Sequence, residues 1–138
     1  MTSIDLRPST LDILAYAGDT VMLYIRTDVD YSAATWAGSI KDSNNVGETE
    51  VASFVFGTTT LDTETGTWVT PAKVEESDTA ALFNAANAGN TGQPPVSYTG
   101  VWDIQVTHDD PIDQAALTDV ITLLKGTITI EGDITDGA

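Results

Sequence analysis

The chain has 138 residues and a mass of 14.6 kDa, a size typical of one folded domain. Its 21 Asp and Glu residues outnumber 5 Lys and Arg residues, and the formal net charge is −16. This balance excludes a conventional nucleic-acid binder, because phosphate recognition needs clustered basic side chains. It also argues against docking on an anionic membrane surface. With no cysteine present, a disulfide framework and a Cys nucleophile are excluded as well.

The distribution of apolar residues indicates a folded domain outside the membrane. Hydrophobic residues make up 41% of the chain, which is too much for a disordered acidic tail. No apolar run approaches the roughly 18 residues that span a bilayer, and residues 1–8 lack the basic and apolar regions of a signal peptide. We therefore expect a single domain over residues 1–138, with an N-terminal arm (1–9) and a short C-terminal tail (132–138).

Alternation predicts a strand with one face buried over residues 20–27, with Val21, Leu23 and Ile25 on one face and Met22, Tyr24 and Arg26 on the other. Residues 10–16 form a plausible strand before it. The turn signal Ala17-Gly18-Asp19 lies between the two segments, so they are predicted to form a hairpin.

The middle of the chain continues in strands. Residues 35–41 alternate, and residues 50–58 carry apolar side chains on both faces, which predicts a strand that is central or covered on both sides. After a turn at residues 62–66, strand character resumes over residues 67–70. Pro71 is predicted to end this strand or to confine it to a sheet edge, because proline has no N–H to donate.

One helix is predicted over residues 75–86, where acidic residues suit the positive N-terminal end of the helix dipole. Strands follow over residues 98–107 and 120–130, joined by a polar connection at residues 108–119. A bulge is expected at Lys125-Gly126. About seven short strands with one short helix indicate an all-β fold, an antiparallel immunoglobulin-like β-sandwich.

Candidate reaction centres are few. The single histidine, His108, has no nucleophile pattern beside it and is predicted to be a solvated loop residue. Two acidic groups could supply oxygen ligands for calcium, Asp28 with Asp30 and Asp109, Asp110 with Asp113, but neither matches a calcium-loop pattern. A carboxylate pair for glycoside hydrolysis would need a cleft that a small sandwich does not offer. We expect no catalytic residue, metal or cofactor.

The three tryptophans could stack on a sugar, or they could fill the core. Trp102 and Trp36 share the parity of core-like neighbours and are predicted to be core residues. Only Trp68 has polar neighbours on its face, Gly66 and Thr70. A carbohydrate-binding module acting chiefly through Trp68 therefore stays open as an alternative.

Four stretches carry a family resemblance: Ala17-Gly18-Asp19-Thr20; residues 34–41; residues 75–82, with Thr79-Ala80-Ala81-Leu82; and residues 101–106 followed by 123–130 and Asp133-Ile134-Thr135. In this order they resemble small virion proteins of tailed bacteriophages. The likeness is to the N-terminal domain of siphophage upper baseplate proteins and to related stand-alone head and tail proteins. The loops at residues 87–97 and 108–119 depart from the family pattern. The resemblance implies a structural role in a virion without catalysis, and does not distinguish head from tail.

We therefore expect a non-enzymatic virion protein, foremost a capsid-associated decoration or minor capsid protein that docks on a repeating shell. A tail or baseplate component is the alternative. The expected partners are the major capsid protein or tail proteins, with self-association in the assembly. Val120, Ile121 and Leu123 lie partly off the core parity of the last strand and are the predicted contact residues, together with Trp68.

Overall fold

A computed structural model describes residues 9–43, 45, 47–90, 92–109 and 118–132, with backbone alone for 108, 109, 118 and 119. Two β-sheets pack face to face, so the predicted all-β sandwich is confirmed. The elements in chain order are β1 (Ser9–Thr10), β2 (Ile13–Tyr16), β3 (Val21–Thr27), β4 (Thr35–Lys41), β5 (Glu50–Ser53), β6 (Val55–Phe56), β7 (Thr60–Asp62), β8 (Thr67–Val74), α1 (Glu76–Ala86), β9 (Tyr98–Asp109) and β10 (Thr118–Glu131). These ten described strands exceed the seven expected, because residues 10–16 and 50–58 each form two strands and β7 lies where no strand was predicted.

The larger sheet has the order β1-β10-β9-β4-β5, and β2 also pairs with β10. The smaller sheet has the order β3-β8-β6, and β7 also pairs with β8. Most pairs are antiparallel, but β1 and β2 run parallel to β10. The sandwich therefore contains parallel pairs, whereas the sequence had predicted a purely antiparallel fold.

The predicted hairpin between the first two segments is wrong, since β2 belongs to the larger sheet and β3 to the smaller one. The chain changes sheets at Gly18, whose φ of +87° is a left-handed conformation that favours glycine. Thr79 of α1 holds this turn: its Oγ1 accepts from the Gly18 N–H at 3.1 Å and donates to the Asp19 carbonyl at 2.8 Å. A helix distant in sequence thus fixes where β3 begins.

A second sheet change divides the predicted strand at residues 50–58. β5 lies at an edge of the larger sheet and β6 in the smaller sheet, with the buried Phe54 between them. The Phe54 N–H donates to the Gly38 carbonyl at 3.0 Å, and its ring lies 5.5 Å from that of Trp102. The segment carries apolar side chains on both faces because it passes from one sheet to the other and Phe54 fills the core between them. It is not a central strand covered on both sides.

Pro71 neither ends β8 nor places it at an edge, contrary to the sequence prediction. β8 runs through it to Val74 between β3 on one side and β6 and β7 on the other. The Gly57 N–H donates to the Pro71 carbonyl at 2.8 Å, at the point where β6 has ended and β7 has not begun. Because the N and O of one strand residue face the same edge, the missing N–H falls in this gap and costs no ladder bond.

The last two strands form the central antiparallel pair and are longer than predicted. The register shift in β10 lies between Thr122 and Leu124, so the bulge is not at Lys125-Gly126. Gly126 instead permits a close backbone approach, because a Cβ built there would overlap the Leu11 carbonyl oxygen. That carbonyl accepts the Trp102 indole N–H at 3.1 Å.

Apolar side chains of both sheets meet in one core, which α1 closes through Leu82. The predicted helix is confirmed to within one residue. Its first turn carries Glu76 and Asp78, which suits the helix dipole. The fully buried members of the core include Ile40, Ile104, Ile128, Ile130 and Val74. Over the residues that the structure describes, no helix is long and apolar enough to cross a membrane.

Candidate docking surface

The outer face of the smaller sheet exposes large apolar side chains. Strict alternation in β3 points Met22, Tyr24 and Arg26 away from the core, and the first two are 46% and 66% exposed. Register places Met22 beside Lys73 of β8, and Lys73 beside Val55 of β6, which is 46% exposed. We call the surface formed by Met22, Tyr24, Val55 and Pro71 the apolar face.

A shallow groove of about 230 Å³ lies in the apolar face between β3 and β6, and Met22, Val55, Gly57 and Pro71 are among the residues that line it. The proline ring forms its floor, because Pro71 and Gly57 oppose each other without a bulky side chain between them. Covering such a concave apolar surface with a partner removes it from water, and this burial favours binding.

Ion pairs flank the apolar face. Arg26 donates to Asp62 Oδ2 at 2.9 Å and to Thr67 Oγ1 at 3.2 Å, and Lys73 lies 3.3 Å from Glu75. The hydrogen bond from Arg26, and after it the one from the Glu64 backbone N–H, hold the pKa of Asp62 below its usual range. Arg26 at the border of the face, and Lys73 between Met22 and Val55 within it, are therefore both paired with a carboxylate.

The free edge of β3 borders the apolar face. β3 pairs with β8 over all seven of its residues, and none of the described strands lies on its other side. An exposed edge of this length, with no proline and no bulge, is unusual in natural sheets because it can accept another strand. Apolar face and free edge together form the candidate docking surface. This surface was not predicted from the sequence, although the outward parity of Met22 and Tyr24 in β3 was a signal for its apolar part.

The predicted contact residues of the last strand lie elsewhere, on the larger sheet. Val120 is 60% exposed and is a surface residue. Ile121 is half-buried opposite Val106, which is fully buried, so it points toward the core side. Leu123 is the half-buried extra residue of the bulge. The bulge reverses the parity of β10, and parity counted from the sequence therefore misplaced Ile121.

The tryptophans divide as follows. Trp102 is buried in the core, as predicted. Trp36 is partly buried and packs against the core. Its indole N–H donates to the Tyr31 carbonyl at 3.1 Å. Trp68 is half-buried on the face of β8 that also carries Thr70, which is fully buried. Its neighbour on that face is thus a core threonine, and Trp68 is not the exposed platform that polar neighbours had suggested.

A wider polar groove of about 820 Å³ crosses the outer face of the larger sheet. Register aligns Ser39, Asp103 and Lys125 across three strands in it, with Lys41 two residues away on β4. Among the described residues the ion pairs join Arg26 to Asp62 and Lys73 to Glu75, and neither lysine of the groove belongs to one. Hydroxyl, carboxylate and ammonium groups therefore line the groove together with apolar side chains such as Val101 and Val120.

No group of three or more His, Cys, Asp or Glu side chains comes together within the described part of the chain. Asp30 accepts the Ser32 N–H at 2.8 Å and so forms a local turn. The backbone of His108 and Asp109 belongs to β9, so the prediction that these two residues lie in a connection is wrong. Asp110 and Asp113, the rest of the second acidic group, lie outside the described residues.

No family model matches the chain, and no curated protein matches it.

Proposed function

We propose that this chain is a non-enzymatic structural protein of a tailed-phage virion that docks on a larger assembly through the apolar face and the β3 edge. The observation that carries the docking role is the exposure of Met22, Tyr24 and Val55 on the outer surface of one sheet, where the ion-paired Lys73 lies between Met22 and Val55. Clusters of exposed apolar side chains are typical of protein–protein contact sites. The virion itself is proposed from the sequence resemblance.

Within the virion, the proposed role is a capsid-associated decoration or minor capsid protein, and a tail or baseplate component is the alternative. The partner is the major capsid protein or a tail protein, present in many copies. Repetition of the same contact, with self-association in the assembly, strengthens attachment beyond that of one site. Because the chain carries a formal charge of −16, its partner surface should be basic, and salt should weaken the association.

The test is copurification with phage particles from a host that carries the gene. The chain should sediment with intact particles on a density gradient, and Tyr24→Asp should release it, since a charge in a desolvated apolar contact is costly. Leu14→Asp is the matched control, because Leu14 is 60% exposed on β2 of the other sheet. Val120→Asp tests the contact residue predicted from the sequence.

The outcomes separate the surfaces. Release by Tyr24→Asp alone supports docking through the apolar face. Release by Val120→Asp alone would transfer the contact to β10 and overturn the assignment to the smaller sheet. A chain absent from purified particles would contradict the virion role.

The polar groove favours a second candidate function, carbohydrate binding. Its alternating hydroxyl, carboxylate and lysine groups offer the donors and acceptors that a sugar chain requires, although its aligned strands contribute no exposed aromatic ring. On a glycan array, this candidate requires binding that Lys125→Ala abolishes. Binding lost in Trp68→Ala and kept in Lys125→Ala would instead restore the tryptophan prediction.

A further inference from the structure

The backbone of β3 presents its free hydrogen-bonding groups in a fixed pattern. The Pro71 carbonyl accepts from the Gly57 N–H. The backbone N–H and C=O groups of the odd-numbered β8 residues therefore face β6, and those of the even-numbered residues face β3. Register pairs Leu23 with Ala72 and Ile25 with Thr70, which makes these the hydrogen-bonded pairs of the β3–β8 ladder. Met22, Tyr24 and Arg26 therefore direct their N–H and C=O groups to the open edge.

The same three residues carry the side chains of the outer face. A strand that pairs with this edge can form up to three N–H and three C=O hydrogen bonds, and its outward side chains would extend the apolar face beyond Met22 and Tyr24. The β3 edge and the apolar face can therefore bind the same ligand, an extended segment about 7 residues long with alternating apolar side chains.

Charge decides which kind of segment fits. Asp19 precedes β3, and Asp28 and Asp30 follow it, so acidic residues flank both ends of the edge. Antiparallel pairing of two copies would bring Asp19 of one chain toward Asp28 and Asp30 of the other, between molecules that each carry a formal charge of −16. Pairing of a second copy at this edge is therefore disfavoured, and Lys or Arg at the ends of the incoming segment is favoured.

We infer that the β3 edge is a strand-acceptor site for an extended, alternating apolar segment of a partner protein with basic residues at its ends. This inference rests on the proposed docking function and names its partner chemistry: β-strand addition beside Met22, Tyr24 and Arg26. Backbone hydrogen bonds supply the affinity, the apolar face selects side chains, and the flanking acids select charge.

A peptide tests the site without a virion. The probe is a nine-residue peptide of alternating Val and Thr with Lys at each end. Its binding should slow amide hydrogen exchange at Met22, Tyr24 and Arg26 by about tenfold or more, and high salt should weaken it. The same peptide with Glu ends should bind more weakly. A version with two central prolines should not bind, because it lacks the donors.

Two substitutions at one position separate backbone from side chain. Tyr24→Pro removes an N–H that faces the open edge and leaves the ladder to β8 intact, so it should fold and bind about tenfold more weakly than Tyr24→Ala, which keeps the N–H. Equal binding by the two variants would overturn strand addition. If Tyr24→Pro does not fold, the proline peptide decides: binding equal to that of the parent peptide overturns the inference.

The outcome is distinguishable from that of the proposed function. Release from particles by Tyr24→Asp, together with no amide protection by the Lys-ended peptide, would keep the docking role and reject strand addition. Amide protection in a chain that never copurifies with particles would keep the strand-acceptor site and reject the virion role.

Discussion

Gly126 is where the β1–β2 connection closes onto the central strands, and a single methyl group there should be costly. A Cβ at this position would overlap the Leu11 carbonyl oxygen and lie 3.2 Å from the Trp102 indole nitrogen. Leu11 must then move, which breaks its N–H bond to the Lys125 carbonyl at 2.9 Å and leaves the Trp102 indole N–H with its second acceptor, the Thr127 carbonyl at 3.1 Å. The lost hydrogen bond, at about 0.5–1.5 kcal/mol, and the forced backbone shift together give an expected loss of about 2 kcal/mol for Gly126→Ala.

Urea unfolding followed by tryptophan fluorescence measures this loss. With a slope of about 2 kcal/mol per molar urea, the midpoint should fall by about 1 M. Gly132→Ala is the matched control, because its Cβ would meet the tip of the Phe83 ring, 3.1 Å away, which can shift. This variant should stay within about 0.5 kcal/mol of the parent, since Gly→Ala also restricts the unfolded chain. Equal midpoints for the two variants would refute the close approach at Gly126.

Two predictions concern titratable groups. Burial, and after it the hydrogen bond to Asp42 at 2.9 Å, raise the pKa of Tyr98 above its usual range, so one tyrosine should resist ionisation at the alkaline end of a phenolate absorbance titration. Tyr98→Phe should remove that last step; an unchanged titration would contradict the assignment. Arg26 lowers the pKa of Asp62, so the pair's contribution to stability is present above the unfolded-state pKa of about 3.9 and is lost as pH falls through the lower folded value. Arg26→Ala should raise the pKa of Asp62 measured by NMR, and Asp62 titrating identically in both proteins would exclude the pairing.

Local alternation predicted the strands better than it predicted their partners. β4 coincides with its predicted span, and β9 and β10 contain theirs, because each buries one face over several residues. The partner of β2 was predicted wrongly, because a turn at Gly18 reads the same whether the chain doubles back within a sheet or crosses to the other sheet. Contacts distant in sequence decide between these geometries: β2 pairs with β10, and Thr79 holds the turn at Gly18.

The predictions at Pro71 and Gly126 were wrong because tertiary contacts, and not the local sequence, determine the role of each residue. Pro71 is tolerated inside β8 because its missing N–H faces the gap between β6 and β7, which no local pattern reveals. Gly126 marks a backbone contact with Leu11, whereas the bulge lies at Leu123 without a glycine. The candidate docking surface could be predicted only in part. Parity placed Met22 and Tyr24 outward, but the open edge of β3 depends on the order of strands in the sheet.

Amide hydrogen exchange of the chain bound to intact particles tests the central claim most directly. Docking through the β3 edge predicts that binding slows exchange at Met22, Tyr24 and Arg26, whose N–H groups face the open edge. Leu23 and Ile25, already bonded to β8, should change less. A chain that binds particles while exchange at the three even-numbered residues stays unchanged would contradict the account.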